Sequence, residues 1–277
     1  MATSQPAGYV IGTEENIKSL RRHHFLEYMR KLYVASNMVV CLAGHIPNAD
    51  KAYSDIAQNF GLVSQDPVNL FKPSVIENQV KPALLLAPRP LEQSSVLLGV
   101  RAYPIGHPDY YVLGVIKSLL GAGMSSRMFI EVREKRGLAY AVYTFLDAQT
   151  DVGNFCTIAG LKRERIDEGL RVILDQYGEL VAGRVTEEEL ARTKAYIRGA
   201  RRIKSEQSQN VAMDLASKFI IVGETQSTEE EMEKIEAVTL ADIERVARDI
   251  FVDEKLNLVV VGPHEGMEEE FLKNLKF

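Results

Sequence analysis

The run Ile235–Gly262, IEAVTLADIERVARDIFVDEKLNLVVVG, decides the fold because it occurs twice. Adding 218 to the numbering of Ile17–Gly44, IKSLRRHHFLEYMRKLYVASNMVVCLAG, lays one on the other without a gap: Ile17 on Ile235, Phe25 on Ile243, Leu32 on Ile250, Tyr33 on Phe251, Val34 on Val252 and Gly44 on Gly262. Each copy reads as helix, short acidic or polar turn, buried strand, glycine. An internal repeat of this kind signals a duplicated domain. The second copy closes a long domain, whereas the first has almost nothing ahead of it. The expectation is therefore a complete domain over 81–277, preceded by a polar, proline-bearing linker over 64–80 and by the tail of a similar domain over 1–63. A strand with few partners of its own is a poor independent structure. The N-terminal segment is thus expected to dock on the second domain, on another copy or on a missing half.

Outward from the repeat, the same reasoning assigns the other elements. In the N-terminal segment, NMVVCLAGHI reads as a buried strand, and NADKAYSDIAQNFG as an amphipathic helix capped by Asn48 and stopped by Gly61. Beyond the linker, ALLLAP and SSVLLGVRAY read as strands. HPDYYVLGVIKSLLG is a helix with Pro108 in its first turn and Val112, Val115, Ile116 and Leu119 turned inward, stopped by Gly121. Ser125 or Ser126 caps a further helix that ends at Gly137. LAYAVYTFL and VGNFCTIAG pair as a hairpin across DAQTD. Two helices follow, one with Ile166, Leu170, Ile173, Tyr177, Leu180 and Val181 on a single face, the other opening on Thr186 and Glu189 at capping-box spacing.

Composition bounds the function. The 277 residues are 46% apolar and 26% charged, with a net charge of −5 and a pI of 5.7. That is an ordinary soluble globular balance, without the basic footprint of a nucleic-acid binder. Cys41 and Cys156 each sit in an apolar run, as buried free thiols do. ALLLAP and NLVVVG are far shorter than the roughly 20 residues a membrane helix needs. The default compartment is the cytoplasm, since any targeting segment would lie upstream.

The histidines His23, His24, His45, His107 and His264 have no second His or Cys at helical ligand spacing, so no zinc site is expected within the chain. There is no G-x-S-x-G elbow. The loop LGAGMSS lacks the lysine of a phosphate-binding loop and follows a helix instead of a strand. Arg133 and Tyr140 admit two readings. Arg133 can be a solvated residue near the negative end of its helix, with Tyr140 a half-buried strand aromatic. Alternatively, the Gly137 turn folds the strand start back on the helix, and the cation and the phenol together donate hydrogen bonds to a peptide carbonyl and to the oxyanion that develops from it.

The run LLGAGMSSRMFIEVREKRGLAYAVY, with HPDYYVLGVIKSLL before it and YVIGTEENIKSL near the start, closely resembles the pitrilysin and mitochondrial processing peptidase family of zinc metallopeptidases, over about Gly8 to Pro263. The resemblance implies an α+β fold, a two-layer, mainly antiparallel sheet covered by helices, with homologous domains in tandem. Peptide-cutting members carry H-x-x-E-H and a further glutamate ligand in the first domain, and this sequence has no H-x-x-E-H. The implied role is the non-zinc half: zinc is expected in a missing or partner half, with Arg133 and Tyr140 reaching the scissile peptide. Gly121, Ala122 and Gly123 stand where a non-catalytic subunit has its glycine-rich, substrate-handling loop, here much shortened. The implied partners are a zinc-bearing half or subunit and a peptide substrate, with a second copy of the chain as a further option. The alternatives are an assembly subunit that keeps the fold without chemistry, as the core proteins of the respiratory cytochrome complex resemble peptidases, and a peptide-binding module acting through a sheet edge.

Overall fold

The computed structural model describes residues 11–68, 73 and 75–277. In chain order the helices are α1 (Glu14–Ser19), α2 (Arg22–Leu32), α3 (Ala49–Phe60), α4 (Tyr110–Gly121), α5 (Ile166–Val181), α6 (Glu187–Ser205), α7 (Ser208–Val222), α8 (Thr228–Ala237), α9 (Leu240–Ile250) and α10 (Glu268–Asn274). The strands are β1 (Ala83–Pro88), β2 (Gln93–Ala102), β3 (Ala139–Ala148), β4 (Gly153–Lys162) and β5 (Leu256–Gly262). Contacts divide the chain into two compact units, Met1–Glu77 with Arg201–Ser227, and Asn78–Ala200 with Thr228–Phe277. Arg201–Ser227, which the sequence groups with the second domain, clusters with the N-terminal segment. Its charges close on one another there: Arg201 and Lys204 lie 3.6 and 3.9 Å from the Asp214 carboxylate.

The larger unit is a five-stranded sheet in the order β1-β5-β2-β4-β3. β2 runs antiparallel to β4 and β5, β3 and β4 form a hairpin, and β1 joins β5 in parallel. The α+β, mainly antiparallel sheet with helices packed on it is the architecture the sequence implied. Period-2 burial brings Val96, Leu98 and Val100 of β2, Ala159 and Leu161 of β4, and Leu256, Leu258 and Val260 of β5 into one core. The core is completed by the 3.6-residue stripes of α4, α5 and α9, including Leu113, Ile173 and Ile243. The buried Tyr177 phenol donates to Thr157 Oγ1 at 2.7 Å, and Thr157 pairs with Thr144 at 2.9 Å, so each of these three hydroxyls has a partner. Nη1 and Nη2 of Arg245 donate to the Asp109 carboxylate at 2.9 and 2.6 Å, which ties the start of α4 to α9 and keeps that carboxyl below its ordinary pKa.

Behind β5 the chain turns through His264 into α10. His264 Nε2 lies 2.6 Å from Ser94 Oγ, both residues are buried, and the Phe271 ring meets the imidazole edge-on. Burial pushes the His264 pKa below its ordinary value; Asp167 opposes this and Arg163 adds to it. The unfolded chain therefore binds a proton at mildly acidic pH that the folded chain refuses. Stability from this contact is complete above a pH of about 6.5 and is lost as pH falls toward the depressed folded value. Urea midpoints at neutral and mildly acidic pH should show this loss in the wild type and a smaller one in His264→Gln; equal losses would remove His264 as its source.

The smaller unit contains α1, α2, α3 and α7. Thr13 and Asn48 cap α1 and α3 through their side-chain oxygens, as the sequence indicates for Asn48. The repeat reappears with its offset intact: α2 maps onto α9 end for end, and the 3₁₀ turn Ala35–Asn37 onto Asp253–Lys255. Burial does not follow. Phe25 is 57% exposed where Ile243 is 0%, and Tyr33 57% where Phe251 is 3%. The strand expected in NMVVCLAGHI is not formed either. Residues 38–43 make no ladder among the described residues, whereas their equivalents in β5 are paired on both sides by β1 and β2. An extended segment becomes a strand only when neighbours take its backbone hydrogen bonds. Cys41, expected to be buried, is in consequence half-buried; Cys156 is buried as expected, and burial pushes its thiol up to about 11.

Candidate functional site

α4 ends on a glycine turn shaped by packing. A Cβ on Gly121 would lie 2.5 Å from Thr144 Cβ, and one on Gly123, at φ +77°, would lie 2.8 Å from the Tyr196 ring. Ser126 was a candidate helix cap. Its hydroxyl instead donates back to the Gly123 carbonyl at 2.8 Å, while its own carbonyl accepts the first helical bond, from Ile130 N at 3.0 Å.

The helix that follows is not a regular α-helix. Phe129–Glu134 is wound as a π-helix, and Lys135 N bonds the carbonyl of Ile130, five residues back. Such widened turns recur at functional sites. Glu131 secures the turn by accepting from Lys135 and Arg136 at 2.7 and 2.6 Å, cations that lower its pKa against the opposing effect of burial. Gly137, at φ +58°, then reverses the chain into β3. Within the hairpin, Ala139 pairs with Leu161 and Val142 with Ala159, so β3 carries one residue more than β4 between these pairs. This bulge turns Tyr140 outward, 79% exposed at the start of an edge strand.

These two irregularities bring Arg133 and Tyr140 together. The guanidinium lies 5.0 Å from the centroid of the Tyr140 ring and 4.8 Å from that of Phe129. A planar cation stacked on two rings is held in place without using its N–H groups. Its nearest carboxylate, Glu134, is 3.8 Å away. Among the described residues neither the guanidinium nor the Tyr140 hydroxyl makes a hydrogen bond, so both can donate to a ligand. Both residues line one cavity of about 340 Å³, together with Gln93, Glu134, Gly160 and Lys162. Gln93 and Lys162 face each other in the β2–β4 register. The sequence reading missed both, because strand pairing alone brings them to Arg133. With Arg133 and Lys162 against Glu134, cations outnumber carboxylates in this cavity.

Ala122 lines a different and very small cavity, beside Ser125, Ser126, Arg192 and Tyr196. Gly121, Ala122 and Gly123 are not among the residues that line the Arg133–Tyr140 cavity. A larger cavity, about 650 Å³, lies over Arg127, Glu131, Arg171 and Glu189. Its Arg127 is already engaged, bidentate to Glu189 at 2.7 Å and to the Arg184 carbonyl at 2.6 Å. Among the described residues no three His, Cys, Asp or Glu side chains come together to hold a metal ion, and no helix is long and apolar enough to cross a membrane.

Comparison with known proteins gives the family. Residues 19–197 match the family model described as the peptidase M16 inactive domain. An uncharacterized zinc protease of Mycobacterium bovis is 31% identical over 258 residues, 92% of this chain and 58% of the relative. The chain thus spans a little over half the length of that relative. Among solved structures, the peptidase M16 inactive domain from Pseudomonas fluorescens superposes with a TM-score of 0.85 at 22% identity, over 95% of this chain and 62% of that one. A protease from Helicobacter pylori gives 0.84 at 22% identity, over 91% and 61%. At that identity the structures speak for the fold, and the family rests on the sequence match. Together these place the chain in the peptidase M16 family, as an inactive domain of zinc protease-like proteins.

Proposed function

We propose that this chain is the non-catalytic half of a zinc metallopeptidase, binding peptide substrate and polarising its carbonyl for a zinc-bearing H-x-x-E-H half. The observation that carries this is the Arg133–Tyr140 pair. Two donors without hydrogen-bond partners among the described residues stand at one cavity, one of them a cation fixed by two aromatic rings. Donors set in advance where negative charge develops stabilise a tetrahedral oxyanion without reorganising during the reaction. Arg133 would meet the carbonyl oxygen with its planar N–H fork, and Tyr140 would add a neutral donor from the bulge. Lys162 and Gln93 would hold the adjoining backbone of the peptide. The sequence carries no H-x-x-E-H, so on this reading bond cleavage belongs to the other half.

The test is reconstitution. The chain alone is expected to show neither stoichiometric zinc nor peptide cleavage, and to support cleavage when mixed with an H-x-x-E-H half. Zinc at one equivalent and turnover by the isolated chain would sink the proposal. A mixture in which the chain adds nothing to the rate of the zinc half would favour an assembly role without chemistry.

A further inference from the structure

The face of the sheet turned away from the core carries a continuous apolar row. Register aligns Leu85 with Val259, Val259 with Leu97, Leu97 with Ile158, and Ile158 with Tyr143, so the row crosses all five strands. Residues in cross-strand register share a face. Their chain neighbours Leu98, Ala159 and Leu258 point the other way, into the core. Leu85, Ile158 and Tyr143 are exposed, and Leu97 and Val259 half-buried.

The row runs into the Arg133–Tyr140 cavity. Gly160, which lines that cavity, follows Ile158 by two residues on the same face of β4, a distance of about 7 Å. With no side chain at Gly160, its backbone and the Gln93 amide, whose Oε1 lies 3.3 Å from where a Cβ would stand, join the cationic end to the apolar row. An occupant must therefore be polar or negative where it meets Arg133 and Lys162 and apolar about 7 Å further on. An extended peptide has this pattern, because its alternate side chains repeat at that distance while its carbonyls lie between them.

We infer that the open sheet face is a specificity surface, on which Tyr143, Ile158 and Leu97 receive an apolar side chain flanking the carbonyl held at Arg133 and Tyr140. This deepens the proposed function and rests on it. It implies substrates chosen by an apolar residue beside the bond that is cut, in an otherwise extended segment.

The experiment uses the 277-residue chain and two end-capped fluorescent peptides of equal length, identical except for Leu or Asn at one central position. Fluorescence anisotropy should give at least about tenfold tighter binding of the Leu peptide, the discrimination that a small change in an apolar contact supports. Ile158→Thr and Tyr143→Thr keep strand-compatible residues at exposed positions, so the sheet should persist, and each should bring the two affinities together. Equal affinities in the wild type, no measurable binding of either peptide, or a Leu preference that survives both substitutions would overturn the inference. So would sedimentation showing a wild-type dimer that Ile158→Thr converts to monomer, which would assign the face to a second copy. The cavity reading fails separately: cleavage by the reconstituted pair that ignores Arg133→Gln rejects that role, whereas the Leu-to-Asn binding ratio reports on the sheet face.

Discussion

Arg133→Gln should lower kcat of the reconstituted peptidase by about 100-fold, within the range seen when one oxyanion donor is removed, and leave the unfolding midpoint of the chain almost unchanged. The asymmetry follows from the geometry. Among the described residues Arg133 makes no hydrogen bond; it stacks on Phe129 and Tyr140 and has the Glu134 carboxylate 3.8 Å away. Little of the fold depends on it, and a surface change of this kind falls within about 0.5 kcal/mol. Arg133→Lys should recover only part of the rate, because an ammonium keeps the charge but loses the planar fork and the double stack. Tyr140→Phe keeps the ring beside the guanidinium and removes the hydroxyl alone, which separates the positioning of Arg133 from donation by the phenol. The measurement is steady-state cleavage alongside urea unfolding of each variant. An unchanged kcat in both Arg133→Gln and Tyr140→Phe would return the pair to the role of solvated surface residues.

The second large effect contrasts equivalent positions in the two copies of the repeat. Ile243→Ala removes a fully buried side chain from α9 and should cost about 2–4 kcal/mol. Phe25→Ala, at the same position of α2, removes a larger side chain and should cost less than about 0.5 kcal/mol, because Phe25 is mostly in water. Chemical denaturation of the two variants decides the matter. A penalty at Phe25 comparable to that at Ile243 would mean that the face of α2 is covered in solution. On the proposed function, adding the zinc-bearing half should raise the cost at Phe25 and leave that at Ile243 where it was.

Much of the larger unit was legible because its signals are local and agree with one another. Alternating residues in SSVLLGVRAY and LNLVVVG, and 3.6-residue stripes in α4, α5 and α9, each demand the same core. The 218-residue offset was legible for the same reason, since capping and periodicity set helix bounds before tertiary contacts act. What the sequence could not show was whether a strand finds partners. Met38–Gly44 and Leu256–Gly262 have nearly the same pattern, and only the presence of β1 and β2 makes one of them a strand. At the site, the seven-residue spacing of Arg133 and Tyr140 was visible, and so was the Gly137 turn. The π-wound turn and the bulge were not, because each departs from the periodicity on which such reading depends. Gln93 and Lys162 were invisible for want of register, and the helical pattern around Ser126 hid a hydroxyl that closes the glycine turn instead of capping.

The π-wound turn and the bulge are each a single extra residue, one in a helix and one in a strand, on either side of Gly137. The site is therefore written in chain length as much as in side chains. Shortening Phe129–Glu134 by one residue would restore ordinary α-helical phase and swing Arg133 about 100° around the helix axis, away from the tyrosine ring. Shortening β3 by one would restore strict alternation and send Tyr140 to the opposite face of the sheet. Either change would leave every named residue in the sequence and dismantle the arrangement. In judging whether another protein has this site, the number of residues between landmarks counts for as much as their identity.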